Sequence, residues 1–265
     1  MIKFRSFSSG SCGNCYFLGL FDNAGNMEAS VLIDAGVSLR TVKTALLQDG
    51  IDICSVDAML ISHDHWDHIR SIGSYCKRLS IPVWATSKLH RALAFRPGTG
   101  EYLRQTRVNM PDGWNEIVPG LVRARWFEVP HDASQTVGYA IEMGGERFVI
   151  MTDIGSMTAE ALSLASEAST VVVESNFDPE MLAASPYPRE LQDRISGGHG
   201  HLSNGKCAEA ICSFGHEGLR NIFLCHLSEN SNTPELALAA TRPSVPDGVR
   251  LVALPRRTPS PMYIL

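Results

Sequence analysis

No stretch of this 265-residue sequence approaches the run of about 18 apolar residues that a membrane-spanning helix needs, so no membrane partner is expected. The opening segment, MIKFRSFSSGSCGNC, lacks the apolar centre of a secretory signal, which points to a cytoplasmic location. A surplus of positive charge is also missing: 23 Lys and Arg stand against 28 Asp and Glu, for a net charge of −5. That argues against broad, sequence-blind coating of nucleic acid but leaves room for a local basic groove. The seven cysteines are an odd number and sit mostly inside apolar runs, a pattern of a reducing compartment rather than a disulfide framework. Cys12 and Cys15 form a C-x-x-C with no second pair behind it, too little for a structural zinc site or a redox motif. Low-complexity segments and dividing linkers are absent as well. Because 265 residues suffice for one full core, residues 1–265 are expected to form a single domain.

What is present is a concentration of ligand-type side chains. The apolar strand Asp57-Ala-Met-Leu-Ile runs into His63-Asp-His-Trp-Asp-His68, placing three of the chain's nine histidines and two aspartates within six positions. Imidazole and carboxylate are donors that divalent zinc, manganese and iron accept. In H-x-H-x-D-H spacing, His63 and His65 can reach one ion while Asp67 and His68 reach a second. Polar residues directly after apolar strands recur downstream: His131 after 121–129, Asp153 after 147–151, and His226 after 221–225. Together these match the needs of two ions. His63, His65 and His131 would hold one, Asp67, His68 and His226 the other, and Asp153 would bridge them.

The rest of the chain reads as alternating strands and helices. Strands are expected at 2–7, 15–20, 29–35, 57–62 and 81–85, with helices at 38–48, 68–77 and 87–95. Pro97–Gly100 breaks the pattern, and an irregular basic stretch at 101–113 could fold over a site as a lid. The second half predicts strands at 114–119, 121–129, 170–174, 221–225, 249–254 and 262–265, and a hairpin 137–143/147–151 through Gly144-Gly145. Helices are expected at 158–167, 178–184 and 203–214 and from Pro234; residues 185–205 hold Arg189, Arg194 and the loop 197–204. Two halves, each with polar residues at strand ends, imply an α/β fold of two facing sheets with helices outside. Between Lys77 and Arg107, seven basic residues accompany a single acid, Glu101, a candidate phosphate-steering surface.

The order of these ligands resembles the metallo-β-lactamase superfamily over the whole chain. SSGSCGNC near the start, LIDAG at 32–36, PHDASQTVGYAI at 130–141, TDIG at 152–155, GHLSN at 200–204 and HLSENSNTPELA at 226–237 look like its YycJ/WalJ-like subfamily. Cys12 stands where that subfamily often has serine, and Asp64 where threonine is common; neither departure removes a ligand. The resemblance implies an αββα sandwich of two mixed sheets and two divalent ions, zinc or manganese, with iron(II) also accepted. It implies a 5′-to-3′ DNA exonuclease in which a hydroxide between the ions attacks phosphorus, with DNA a better substrate than RNA. Asp67 or Asp153 would orient the nucleophile or take its proton. His201 would contact a phosphate oxygen or protonate the leaving group. Asp34 would steady a ligand from behind. Ser9, Asn14, Ser203, Asn204, Ser228 and Asn232 would offer hydrogen bonds to substrate phosphates. His90 and His216, in helical stretches, read as structural, and His199 has no assigned role.

Alternatives on the same fold are an RNA-processing nuclease and a thioester or lactone hydrolase, although no long arm is visible between Asp153 and His226. A true β-lactamase would lack a bridging carboxylate such as Asp153. A di-iron redox protein would carry Glu in place of His65, and a non-catalytic descendant would have lost ligands. Oligomeric state is not legible.

Overall fold

Alternating small and apolar residues open the chain as two long antiparallel strands, β1 (Ile2–Gly10) and β2 (Gly13–Phe21), with β3 (Met27–Ile33) antiparallel to β2. The chain then switches to parallel pairing through intervening helices. α1 (Leu39–Gln48) is capped by Ser38, whose hydroxyl accepts from the Thr41 amide. β4 (Ala58–Leu60), α2 (Trp66–Ile69), α3 (Ile72–Leu79), β5 (Val83–Ala85), α4 (Ser87–Ala94), α5 (Gly100–Thr106) and β6 (Arg107–Asn109) follow. The computed structural model describes residues 1–96 and 98–265; Pro97, at the start of the expected break, lies outside the described residues.

The second half repeats the plan. β7 (Asn115–Val118), β8 (Val122–Glu128), β9 (Val137–Met143) and β10 (Glu146–Met151) form an antiparallel meander. α6 (Ala159–Ala165), β11 (Thr170–Glu174), α7 (Pro179–Ala184), α8 (Arg189–Ser196), α9 (Asn204–Phe214), β12 (Asn221–Cys225), α10 (Pro234–Thr241) and β13 (Arg250–Ala253) add three parallel strands to it. β14 (Tyr263–Ile264) returns to pair with β1. The result is two mixed seven-stranded sheets, ordered β14-β1-β2-β3-β4-β5-β6 and β13-β12-β11-β10-β9-β8-β7.

Phe4, Tyr16, Leu18, Tyr139, Phe148 and Phe223 fill the space between the sheets. The outer faces are covered too: α1, α3 and α4 bury Val42, Leu46, Ile72, Leu89 and Leu93 on the first sheet, and α6 and α9 bury Ala161, Cys207, Ile211 and Phe214 on the second. The middle strands are therefore buried on both faces, which is why β11 reads Thr-Val-Val-Val-Glu without alternation.

Three expectations change. The helix expected at 68–77 is two helices broken at Arg70-Ser71. The stretch 101–113 is not a lid: α5 buries Leu103 and Thr106, and β6 pairs in parallel with β5, extending the sheet. Between α7 and the loop 197–204 stands an unexpected helix, α8, whose apolar pair Leu191 and Ile195 lies one turn apart and is only half-buried.

Candidate metal centre

The parallel strands of both sheets deliver their carboxyl ends to one edge of the sandwich. Asp34 follows β3, His63 lies just past β4, Asp153 follows β10, Glu174 ends β11 and His226 follows β12. Polar groups collect here because the last residues of β3, β4, β10 and β12 are apolar and buried up to the point where the chain must turn. Three of these residues sit in the left-handed region, with φ of 62° at Asp34, 54° at Asp153 and 52° at His226. A side chain there costs about 1–2 kcal/mol, and surrounding bonds hold each turn. The Asp34 carboxylate accepts from the Ser62 amide at 2.8 Å and lies 2.7 Å from His68 Nδ1. The His226 amide donates to Ser9 Oγ at 2.9 Å, and the Ile154 amide donates to Glu174 at 2.8 Å.

The expected ligands meet. Donor atoms of His63, His65 and His131 lie within 4.8 Å of one another, and so do those of Asp67, His68 and His226. Asp153 stands between the two trios. Its Oδ1 is 3.7 Å from His131 Nε2 and 3.4 Å from His226 Nδ1, and its Oδ2 is 3.0 Å from His68 Nε2. Four of the five imidazoles share an orientation, His65 being the exception with its Nδ1 3.3 Å from His131 Nε2. Nδ1 of His63 faces Ser62 Oγ at 3.0 Å, that of His68 faces Asp34, that of His131 donates to the Gly200 carbonyl at 2.8 Å, and that of His226 faces Glu174 at 3.0 Å. Each of these anchors turns Nε2 toward the shared space, where that of His68 also meets the Asn14 side-chain amide.

Two observations test whether metal ions fit. His63 Nε2 is buried without a hydrogen-bond partner, as is Asp153 Oδ2, whose approach to His68 lacks bonding geometry. Charge is the second. Burial pushes the His63 imidazole well below its ordinary range. Burial acts against His68 as well, yet Asp34, Asp153 and Asp67 outweigh it and lift that imidazole to about 10. His226 is likewise raised, burial being overcome by Asp153, Asp67 and Glu174. A pocket of carboxylates that draws protons onto histidine is short of positive charge, and divalent cations bound by neutral imidazole and carboxylate supply it. The arrangement is that of a divalent-metal centre.

His201 joins the site, its Nδ1 2.8 Å from Glu174 and 3.7 Å from Asp153 Oδ1. Burial would lower its pKa, but the Glu174 carboxylate raises it. Glu174 was not among the residues singled out from sequence. The available signal was an acid closing an all-valine strand, the same placement as Asp153 after β10. Asp132, 3.4 Å from His131 Nε2 and 3.7 Å from His65 Nε2, was also passed over.

The six expected phosphate donors are placed otherwise. Ser9 is fully buried between Tyr16 and the His226 amide. Asn14 donates to Asp67 at 3.1 Å and lies 2.8 Å from His68 Nε2. Ser203 caps α9. Asn204 and Asn232 bond each other and the Ser175–Asn176 turn, and Ser228 receives the Ser231 hydroxyl and amide. All six are buried, so they build the loops that hold the ligands instead of facing a substrate. Asp64 points away from the ligands to Arg96 and Ser134, tying the first ligand loop to the His131 loop. Of the basic run, Arg96 is thereby committed to Asp64, while Lys88 borders a groove shared with His131 and His199. His90 and His216 are structural, donating to the Val108 and Ala168 carbonyls. Cys12 is exposed and Cys15 buried, and both thiols are free.

The ligands open into a cleft of about 360 Å³ whose far wall is Tyr187, Leu191, Arg194 and Ile195. Known proteins share this architecture. The chain is similar to exodeoxyribonuclease YycJ of Bacillus anthracis, 29% identical over 243 residues that cover 89% of this chain and 86% of that protein. It is similar to exodeoxyribonuclease WalJ of Streptococcus pneumoniae, 28% identical with 89% and 85% covered. Among solved structures it is similar to the metallo-β-lactamase fold protein YhfI from Bacillus subtilis, with a TM-score of 0.69, 14% identity and 98% of both chains covered. The family model for the beta-lactamase superfamily domain matches residues 29–226, and with this fold and ligand array the chain belongs to the β-lactamase superfamily.

Proposed function

We propose that this chain is a two-metal phosphodiesterase that removes nucleotides from the 5′ end of DNA. The observation that carries the reading is Asp153, buried between His63/His65/His131 on one side and Asp67/His68/His226 on the other. The names of the relatives, exodeoxyribonucleases both, support DNA as the polymer. The donor set suits zinc or manganese, and iron(II) is compatible. Bound divalent ions supply Lewis-acid polarisation of the phosphoryl group and an acidified water.

The chain's own residues do the rest. Asp34, Ser62, Glu174 and the Gly200 carbonyl hold the imidazoles in register. Asp67 reaches the cleft with a side chain 23% exposed, placed to orient the attacking water or take its proton. Glu174 keeps His201 protonated to higher pH than a free imidazole, which suits donation to a phosphate oxygen or the departing alkoxide. Unpaired cysteines are consistent with a cytoplasmic setting. The test is the purified protein, supplied with manganese or zinc, on end-labelled DNA and RNA, single- and double-stranded. Linear 5′-phosphorylated DNA should be degraded from that end, with RNA resistant. Equal cleavage of closed circular and linear DNA would remove the exonuclease assignment, and faster cleavage of RNA would replace it with RNA processing.

A further inference from the structure

No residue of α8 is fully buried, and its half-buried Leu191 and Ile195 lie outside the core clusters. They serve the cleft: Tyr187, just before the helix, and Leu191 and Ile195 within it face the metal ligands across the opening. The Tyr187 hydroxyl is held by the Asn230 side-chain amide at 2.8 Å, which fixes the half-buried ring. The far end of the helix is tied to the centre itself. The His201 amide donates to the Ile195 carbonyl at 2.8 Å, and the Gly200 carbonyl accepts from the ligand His131. The wall therefore keeps a set position relative to the reacting atoms. Arg194, the one Lys or Arg among the lining residues, pairs with Asp132 at the rim. At about 360 Å³, the cleft is at the small end of ligand pockets, roughly 300–1,000 Å³, the scale of a single nucleotide.

We infer that Tyr187 and Leu191 form a stacking wall that takes the nucleobase of the terminal nucleotide in an unpaired state. This rests on the nuclease reading above. An aromatic and an aliphatic face offer every base the same π and apolar contact and no hydrogen-bond code, so the wall admits any sequence while requiring that the end be open. Tyr187 acts as a positioning residue: it seats the base so that the adjoining phosphate lies at the ligands.

Equilibrium binding to the manganese-loaded protein tests this, with thymidine 5′-monophosphate and 2-deoxyribose 5-phosphate as probes. The nucleotide should bind roughly tenfold tighter than the baseless sugar phosphate, the scale of one aromatic stack. Tyr187→Ala should bring that ratio close to one without changing affinity for the sugar phosphate, and Tyr187→Phe should keep it. Because Tyr187 lies outside the buried core clusters, the variants should melt with the wild type, which thermal unfolding checks. Equal binding of both probes by the wild type, or an unchanged ratio in Tyr187→Ala, overturns the wall. Degradation of labelled DNA by the same preparation is scored separately: a protein that degrades DNA yet binds both probes equally has lost the stacking wall alone, and one that degrades no DNA has lost the nuclease reading.

Discussion

Glu174 accepts from two buried amides, Ile154 and Leu202, while its carboxylate also contacts Nδ1 of His201 and His226. An amide in its place keeps one acceptor but turns donors toward groups that themselves donate. Glu174→Gln should therefore lower metal affinity and turnover by about 10–100-fold, the usual cost of disturbing a residue behind a ligand. Metal titration and rate on labelled DNA check it; wild-type values in both would show that Glu174 does not orient the ligands. Backbone strain offers a second residue-level test. Asp153 sits at φ 54°, where glycine is relaxed and alanine is not. Asp153→Gly should be more stable than Asp153→Ala by about 1 kcal/mol in metal-free thermal melts, although both lose activity. Equal melting temperatures would mean the loop relaxes on losing the carboxylate.

Elements meet at the site through backbone contacts that leave no room for side chains. The Gly36 amide bonds Asn14, and a Cβ on Gly36 would fall 1.6 Å from the Asp67 carbonyl. Gly36→Ala should push the β4–α2 ligand loop away from β2, costing on the order of 3 kcal/mol and most of the activity. A denaturant melt and a rate measurement check it, and a variant with wild-type rate would show that Asp67 and His68 tolerate the shift. Further from the site, His90 pins α4 to β6 through the Val108 carbonyl. Burial holds its imidazole below the ordinary 6.5. The folded chain thus resists a proton that the unfolded chain accepts. His90 lowers stability as pH falls below 6.5 and has no such effect above it. His90→Gln should flatten the loss of stability between about pH 7 and pH 5, read from urea midpoints across that window. An unchanged slope would assign the acid sensitivity elsewhere.

Across the whole molecule, the candidate metal centre lies at the edge of the sheets, beside apolar clusters that contain none of its ligands. Phe4, Tyr16 and Phe223 pack between the sheets, while each outer face has its own helical cover. Chelation should abolish activity reversibly and lower the melting temperature by the lost binding free energy, about 3–4 kcal/mol at ligand concentrations 100–1,000 times Kd. The metal-free chain should still unfold cooperatively. Loss of the folded far-UV signal on chelation would show instead that the four carboxylates cannot be gathered without cations.

Much of this was legible along the chain because apolar strands and the residues ending them are local patterns. β8 to β12 fall within a few residues of their expected bounds, and the seven candidate ligands follow four strands, four of them after β4 and one each after β8, β10 and β12. α8 escaped because Leu191 and Ile195, one turn apart in a polar stretch, are too short a periodic signal, and α5–β6 read as a lid because charge and glycine masked a short edge strand. The donor roles first given to Ser9, Asn14, Ser203, Asn204, Ser228 and Asn232 followed from residue type; burial and partner choice, which depend on what folds over each loop, assigned them to scaffolding. Sequence alone determined which side chains could bind a metal and which strands would carry them. Only the tertiary structure decided that Asp153 lies between two trios, that Glu174 stands behind His201 and His226, and that Tyr187 closes the cleft. Those are distances between residues far apart in the chain, set by how two sheets align their carboxyl ends.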